Sequence, residues 1–186
     1  MVEPVGRIFL AVDLTSEARQ ALSGRVMEMA RHRELPGRST PPRNWHMTLW
    51  FLGDVARDRF EMMCHYLSEA PLGDAFRCRF GEWGSFPRPR RASVLWVGVS
   101  RGSSSLFSLA AATKEAVTGA GIPLSERPFS PHLTLSRIRP PQDVRALLDS
   151  APSAEVDMTV REVTAFRSHM GGGPPRYEAL ERFPLS

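Results

Sequence analysis

With 186 residues, 42% of them hydrophobic, the chain can close one domain around a real core, which excludes global disorder. The formal net charge is +4 and the isoelectric point about 9.8; arginine fills 23 of the 24 basic positions, Lys114 being the only lysine. Arginine suits bidentate phosphate contacts, so the balance leans weakly toward an anionic partner, although most of these residues are spread along the chain as on any solvated surface.

In chain order, RIFLAVDL (7–14) reads as an apolar strand. Its run IFLAV, closed by Asp13, is too short for a signal segment or a membrane span. TSEARQALSGRVMEMA (15–30) is a helix capped by Thr15, with Glu17 in its first turn and Ala18, Leu22, Val26 and Met29 on one face. The Pro-rich stretch 36–44 is a loop, and WHMTLWFLGD (45–54) is a strand expected to end in a Gly-Asp turn. RDRFEMMCHYLSEA (57–70) sets Phe60, Met63, Cys64 and Leu67 at helical spacing and stops before Pro71. AFRCRFGEW (75–83) alternates as a strand, FPRPRRA makes a basic turn, and SVLWVGVS (93–100) is the next strand. SSLFSLAAATKEAVTGAG is a helix with Gly119 as its expected stop. HLTLSRI (132–138) is a strand, PPQDVRALLD a short helix begun by proline, and EVDMTVREVTAF (155–166) one long strand bulged near Arg161. A glycine-rich loop, SHMGGGPPR, leads to a last strand in YEALERFPL.

Strand–helix units mixed with hairpins predict an α+β fold with largely antiparallel pairing. The two cysteines, Cys64 and Cys78, form no C-x-x-C motif and sit in apolar surroundings, as buried thiols of a reducing compartment would; the expectation is a cytoplasmic protein.

His46 and His132 both open His-x-Thr-Leu, 86 positions apart. With 8 Thr and 18 Leu in the chain, two such phrases among five histidines arise by chance roughly two times in ten thousand, so the pair reads as an internal repeat. Each copy follows a helix and a Pro-rich loop and precedes another helix, which predicts two pseudo-duplicated lobes, one motif in each (46–49 and 132–135), with no linker between.

In a strand, residues i and i+2 share a face. His46 and Thr48 therefore point one way, with Met47 and Leu49 turned to the core; His132 and Thr134 repeat this against Leu133 and Leu135. Two imidazoles across a cleft suit acid–base chemistry near neutral pH: one takes a proton from a nucleophile, the other gives one to a leaving oxygen. Threonine hydroxyls between them suit an oxyanion, and the whole suits a phosphoryl centre. Arg127 and the turn Arg88–Arg91 could bring a polyanion to the cleft. Either motif alone would read as a structural strand histidine; the matched pair reads as a site. Zinc is the competing use, but two histidines without a nearby Cys, Asp or Glu make an incomplete ligand set. His32 and His65 read as ordinary helix residues, and His169 as a loop residue.

At these residues the chain resembles the two-histidine phosphoesterases, and most closely the RNA 2′,3′-cyclic phosphodiesterases first described as 2′-5′ RNA ligases. RIFLAVDL, PPRNWHMTLWFLGDV, FPRPRRASVLWVGV, ERPFSPHLTLSRIR and YEALERFPL follow in family order. The resemblance implies a bilobal fold, two antiparallel sheets around a central cleft with helices outside. It implies hydrolysis of an RNA terminal 2′,3′-cyclic phosphate to a 2′-phosphate, on tRNA-like or oligonucleotide ends, by a monomer without metal or other cofactor. By the same likeness His46 is the proton donor and His132 the acceptor; Thr48, Thr134 and Arg137 hold phosphate. The resemblance also implies reversible 2′-5′ RNA ligation, in which a 5′-hydroxyl joins the cyclic end. Strict alternation places Arg137 and Phe51 on the faces opposite their histidines, so Arg137 needs a twist, a bulge or the strand end to reach phosphate, and Phe51, a candidate substrate contact by its motif position, is expected to pack in the core. Trp50 shares the His46 face and is the candidate platform for a base. A binding module for RNA ends is one alternative. A sister activity on ADP-ribose cyclic phosphate or 2′-5′ oligonucleotides is another.

Overall fold

The computed structural model describes residues 4–31 and 34–186; His32 lies outside them. The strands are β1 (Pro4–Asp13), β2 (Arg38–Ser39), β3 (His46–Ala56), β4 (Phe76–Phe86), β5 (Ala92–Arg101), β6 (His132–Gln142), β7 (Val156–Val160), β8 (Glu162–His169) and β9 (Arg176–Pro184). Four α-helices connect them: α1 (Ser16–Met29), α2 (Arg57–Glu69), α3 (Ser103–Gly119) and α4 (Arg145–Ser150).

All pairings are antiparallel, in the order β7-β4-β5-β6-β3-β1-β8-β9, with β2 added to β6. The two expected sheets are thus four-stranded halves of one curled sheet. They meet at a narrow seam, where Met47 of β3 pairs with Leu133 of β6. Read outward from that seam, each half is a motif strand, then the strand that precedes it through a helix (β1-α1-β3 in one lobe, β5-α3-β6 in the other), then two outer strands. The outer strands are exchanged in chain order. β4, from the first half of the sequence, completes the second lobe; β8 and β9 complete the first.

That exchange explains the stretch expected as one long strand. Residues 155–166 break at Arg161 into β7, which pairs with β4, and β8, which pairs with β1. The chain steps from one end of the sheet to the other lobe in one residue, so the sheet must curl to bring those regions together. Leu185 N–H closes the step on Arg161 O at 2.8 Å.

Helices cover one face of the sheet. Leu22, Met63, Leu67, Leu106, Leu109 and Val117 pack there against Met47, Leu95, Val97 and Leu133 in one core shared by both lobes. Truncating any of these leucines to alanine should cost about 2–5 kcal/mol, since the packed wall cannot collapse on the space left. On the other face a smaller apolar group, Phe9, Ala11 and Phe166 with Tyr177 and Ala179, floors the concave side of the first lobe.

Local signals hold with three corrections. Thr15 caps α1, accepting from Ala18 N–H at 3.2 Å. Gly119 is the last residue of α3, not its stop: Gly121, at φ +73°, turns the chain, with Gly121 N–H on Thr118 O and Ile122 N–H on Val117 O. Pro140 and Pro141 remain in β6, and α4 begins at Arg145. The Gly53-Asp54 pair does not end β3; Gly53, at φ +70°, takes up an irregularity and the strand runs on to Ala56.

Candidate active site

The seam sets the site. Met47 and Leu133 are fully buried partners, so the residues flanking them project from the concave face. His46 and Thr48 are half-buried on β3; His132 and Thr134 are half-buried on β6. Because the strands run antiparallel, His46 lies on the Thr134 side and Thr48 on the His132 side. The two pairs expected from the sequence are brought together across the seam.

Beyond each pair the strand bulges at the same place. On β3, Ala11 pairs with Thr48 but Leu10 with Trp50; on β6, Trp96 pairs with Thr134 but Leu95 with Ser136. One extra residue reverses the parity of everything after it. Two expectations change. Trp50 leaves the His46 face: its indole N–H donates to Ala110 O at 2.9 Å and Thr113 Oγ1 at 3.1 Å beneath α3. Phe51 turns to the concave face instead, 67% exposed, its ring 6.1 Å from that of Phe9. Arg137 makes the same turn on β6, pairing with Val94, and its charge acts on both histidines. Phe51 and Arg137 each stand five residues after their histidine.

Both imidazoles are held alike. His46 Nδ1 lies 2.8 Å from Asn44 O, and His132 Nδ1 lies 2.7 Å from Ser130 O. A carbonyl only accepts, so each Nδ1 carries hydrogen and each Nε2 is left to exchange protons. Burial pushes His46 down to about 4, against the Asn44 hydrogen bond and the carboxylate of Asp13, which raise it; Arg19 and Arg137 lower it further. His132 is also lowered, by burial first, with the Ser130 bond opposing and Arg137 assisting. At neutral pH both are therefore neutral in the empty cleft.

Aromatic rings wall each histidine, and these the sequence reading missed. Phe9 stands 4.8 Å from His46, Tyr177 meets it edge-on at 5.2 Å, and Phe166 stacks on Phe9 at 5.3 Å. Phe86 meets His132 edge-on at 5.0 Å, with Trp96 at 6.3 Å. A signal existed for Trp96: a Cβ on Gly84 or Gly98 would fall within 3 Å of its indole, so the glycines around LWVGV make room for a ring laid across the sheet. Also missed was the lock on the His46 approach. Arg19 bonds Asp13 at 2.6 Å and Trp45 O at 3.1 Å, Trp45 Nε1 donates to Thr40 O, and buried Asn44 donates Nδ2–H to Pro175 O at 2.7 Å. The motif PPRNW is thus a fixed turn.

Arg127 is exposed in the loop before β6 and forms no ion pair among the described residues. His65 is exposed on α2, and His169, at the end of β8, bonds Glu178 at 2.6 Å. A cavity of about 190 Å³ opens beside His46, between Asp13, Arg43, Phe166, Tyr177 and Arg182. A larger depression of about 360 Å³ at the far edge of β4 holds no histidine.

A curled antiparallel sheet with two facing histidine–threonine pairs is the architecture of the two-histidine phosphoesterases. The family profile described as the 2′-5′ RNA ligase superfamily matches residues 15–172, and the chain belongs to that superfamily. It is 33% identical over 187 residues to the RNA 2′,3′-cyclic phosphodiesterase of Geobacillus stearothermophilus, covering 95% of this chain and 56% of that protein, so it spans little over half of that relative's length. The RNA 2′,3′-cyclic phosphodiesterase of Methanothermobacter thermautotrophicus is 30% identical over 184 residues, 96% of this chain and 98% of that one. The crystal structure of E. coli LigT complexed with 3′-AMP superposes with a TM-score of 0.81 at 28% identity, over 99% of both chains. Separately, no helix among the described residues is long and apolar enough to cross a membrane.

Proposed function

We propose that the chain hydrolyses an RNA terminal 2′,3′-cyclic phosphate to a 2′-phosphomonoester by two-histidine acid–base catalysis. The observation that carries this reading is the pair of Nδ1-anchored imidazoles, each beside a threonine of the opposite strand. Each Nε2 is left unanchored on the concave face, and the relatives named above bear the name RNA 2′,3′-cyclic phosphodiesterase. His132 takes a proton from water as it attacks phosphorus. His46 gives a proton to the departing 3′ oxygen, and Thr48, Thr134 and Arg137 bind the remaining phosphate oxygens. The donor role of His46 follows the family likeness; among the described residues Asp13 is the one carboxylate whose charge opposes the burial that holds His46 low, and an arriving phosphate anion would raise both imidazoles. With a 5′-hydroxyl in place of water as the nucleophile, the same forward steps form a 2′-5′ linkage, and their reversal cleaves it.

The test is an oligonucleotide ending in a 2′,3′-cyclic phosphate, incubated with EDTA. A 2′-phosphate product is expected, and His46→Ala and His132→Ala should each lower the rate by about 10²–10⁴-fold. Full activity in either variant, or an intact cyclic end bound tightly by the wild type, would defeat the assignment. A 3′-phosphate product would give the leaving oxygen to the wrong side.

A further inference from the structure

Past Arg137, the outer half of β6 carries charge that the histidine cluster does not use. Arg137 and Arg139 follow one another on the exposed face, ~6.6 Å apart by strand spacing. Arg38 of β2 pairs opposite Arg137. Beyond them stands the hairpin turn between β4 and β5, with Arg88, Arg90 and Arg91 all exposed. The turn is fixed on β6: Ala92 pairs with Gln142, and Val144 N–H donates to Pro89 O at 2.8 Å. Pro87 and Pro89 restrict its backbone further. It is also continuous with the site, because Phe86, two residues before Arg88, is the ring set edge-on against His132.

None of Arg38, Arg88, Arg90, Arg91 or Arg139 has an ion-pair partner among the described residues, whereas Arg19, Arg79, Arg145, Arg167 and Arg182 each do. Asp143, which lies near Arg90, is held by Arg145 at 2.7 Å. At the other end of β4 the charges are balanced: Arg79 binds Asp157, with Glu82 and Glu155 close by. Positive charge is therefore concentrated, unpaired and rigidly mounted at one end of the cleft.

We propose that this ridge binds the phosphates of the nucleotides 5′ to the cyclic end, so that the preferred substrate is a single-stranded RNA chain rather than a cyclic mononucleotide. A terminal cyclic phosphate occupies the 3′ end, so the rest of the polymer must leave the cleft on its 5′ side. A row of guanidinium groups starting at Arg137 offers each phosphate a bidentate partner. The inference rests on the phosphodiesterase reading and extends it to substrate length.

The experiment compares kcat/KM for a cyclic mononucleotide and for an eight-nucleotide strand with the same cyclic end, across a range of salt. Both are assayed with the wild type and with the triple variant Arg88→Ser, Arg90→Ser, Arg91→Ser. The wild type should favour the strand by about tenfold or more at low salt, with a log–log salt slope near −2 if about three phosphates are engaged. The triple variant should lose most of that preference and flatten the slope, while the mononucleotide rate changes by less than about threefold. Equal kcat/KM for both substrates in the wild type would overturn the ridge, as would an equal loss on both in the variant. Competition by polyglutamate as strong as by RNA would assign the surface to an acidic polypeptide instead. Should the wild type cleave neither substrate, the phosphodiesterase reading fails by itself. The ridge is then judged by salt titration of binding to a 2′-phosphate-ended strand, where an unchanged slope in the triple variant rejects it.

Discussion

The two lobes share a skeleton and differ in what they hang on it. Each has a histidine anchored through Nδ1 to the carbonyl two residues before it, a threonine two residues after, and a bulge that swings the fifth residue to the concave face. At that fifth position one lobe presents Phe51 and the other Arg137. Across the sheet, Phe166 pairs with Phe9 in one lobe and Phe86 with Val94 in the other, so both keep an aromatic ring at the third strand. The anchors differ as well: Asn44 is buried and bonded to Pro175, whereas Ser130 is exposed and its side chain forms no such bond. The matched strands give the two histidines a symmetric setting. Single substitutions at matched positions then give the cleft a polar end and an aromatic one.

The sharpest test of that division is to remove the two fifth residues. Arg137→Ala should lower kcat/KM by about 10²–10³-fold, because the proposed mechanism makes its guanidinium a donor where phosphate charge develops. Phe51→Ala should cost about tenfold, expressed mainly in KM, since a stacking surface holds ground state and transition state alike. Equal losses in the two variants would show that the lobes are not specialised as described.

pH is the next lever, and its sign follows from the shared burial. The proposed mechanism needs one imidazole protonated and one neutral. With both lowered below 6.5 in the free protein, that singly protonated form is most abundant on the acid side of 6.5. kcat/KM should therefore peak below pH 6.5 and fall about tenfold per unit once pH passes the higher of the two values. The kcat profile should lie at higher pH, because bound phosphate favours the charged imidazole. A kcat/KM optimum above pH 7.5 would mean that the burial seen here does not govern the histidines.

Much of this was legible in the sequence wherever a period of two held. The faces of His46, Thr48, His132 and Thr134 follow from alternation alone, and Met47 and Leu133 confirm it by being fully buried. Alternation failed where the bulges intervene. Leu135 and Ser136 are consecutive and both buried, as Leu49 and Trp50 are consecutive and both packed on the core. No residue in either stretch announces an irregularity, because the pairing partner that creates it lies tens of residues away. Arg161 hides the lobe crossing for the same reason: strand propensity runs unbroken through VDMTVREVTAF while the partner strand changes. Asn44 reads from the sequence as a loop residue, since its role depends on Pro175, 131 positions distant.

That hidden role is testable against its counterpart. Asn44→Ala removes the bond to the half-buried Pro175 carbonyl and loosens the acceptor of His46; a stability loss of about 0.5–1.5 kcal/mol is expected. A fall in kcat of roughly tenfold should accompany it, with little change in KM, as a misplaced acid requires. Ser130→Ala should leave both quantities near the wild-type values. Thermal unfolding and steady-state kinetics on the two variants would contradict the difference between the anchors if Ser130→Ala proved the more damaging.

The smallest effect concerns Trp50, and it isolates the parity reversal from everything else. If the bulge holds Trp50 beneath α3, Trp50→Phe removes an indole N–H from Ala110 O and Thr113 Oγ1 while keeping most of the apolar bulk. Thr113 can still satisfy Ala110 O, to which it already donates at 3.0 Å. The loss should then be about 1 kcal/mol of stability, with kcat and KM within about twofold of wild type. Were Trp50 instead on the His46 face, stability would barely move and KM for an oligonucleotide would rise by the worth of one stacked base, about 1–3 kcal/mol. The two geometries send the same substitution into different measurements. A normal melting curve with weakened substrate binding would place Trp50 back in the cleft and remove the bulge that brings Phe51 there.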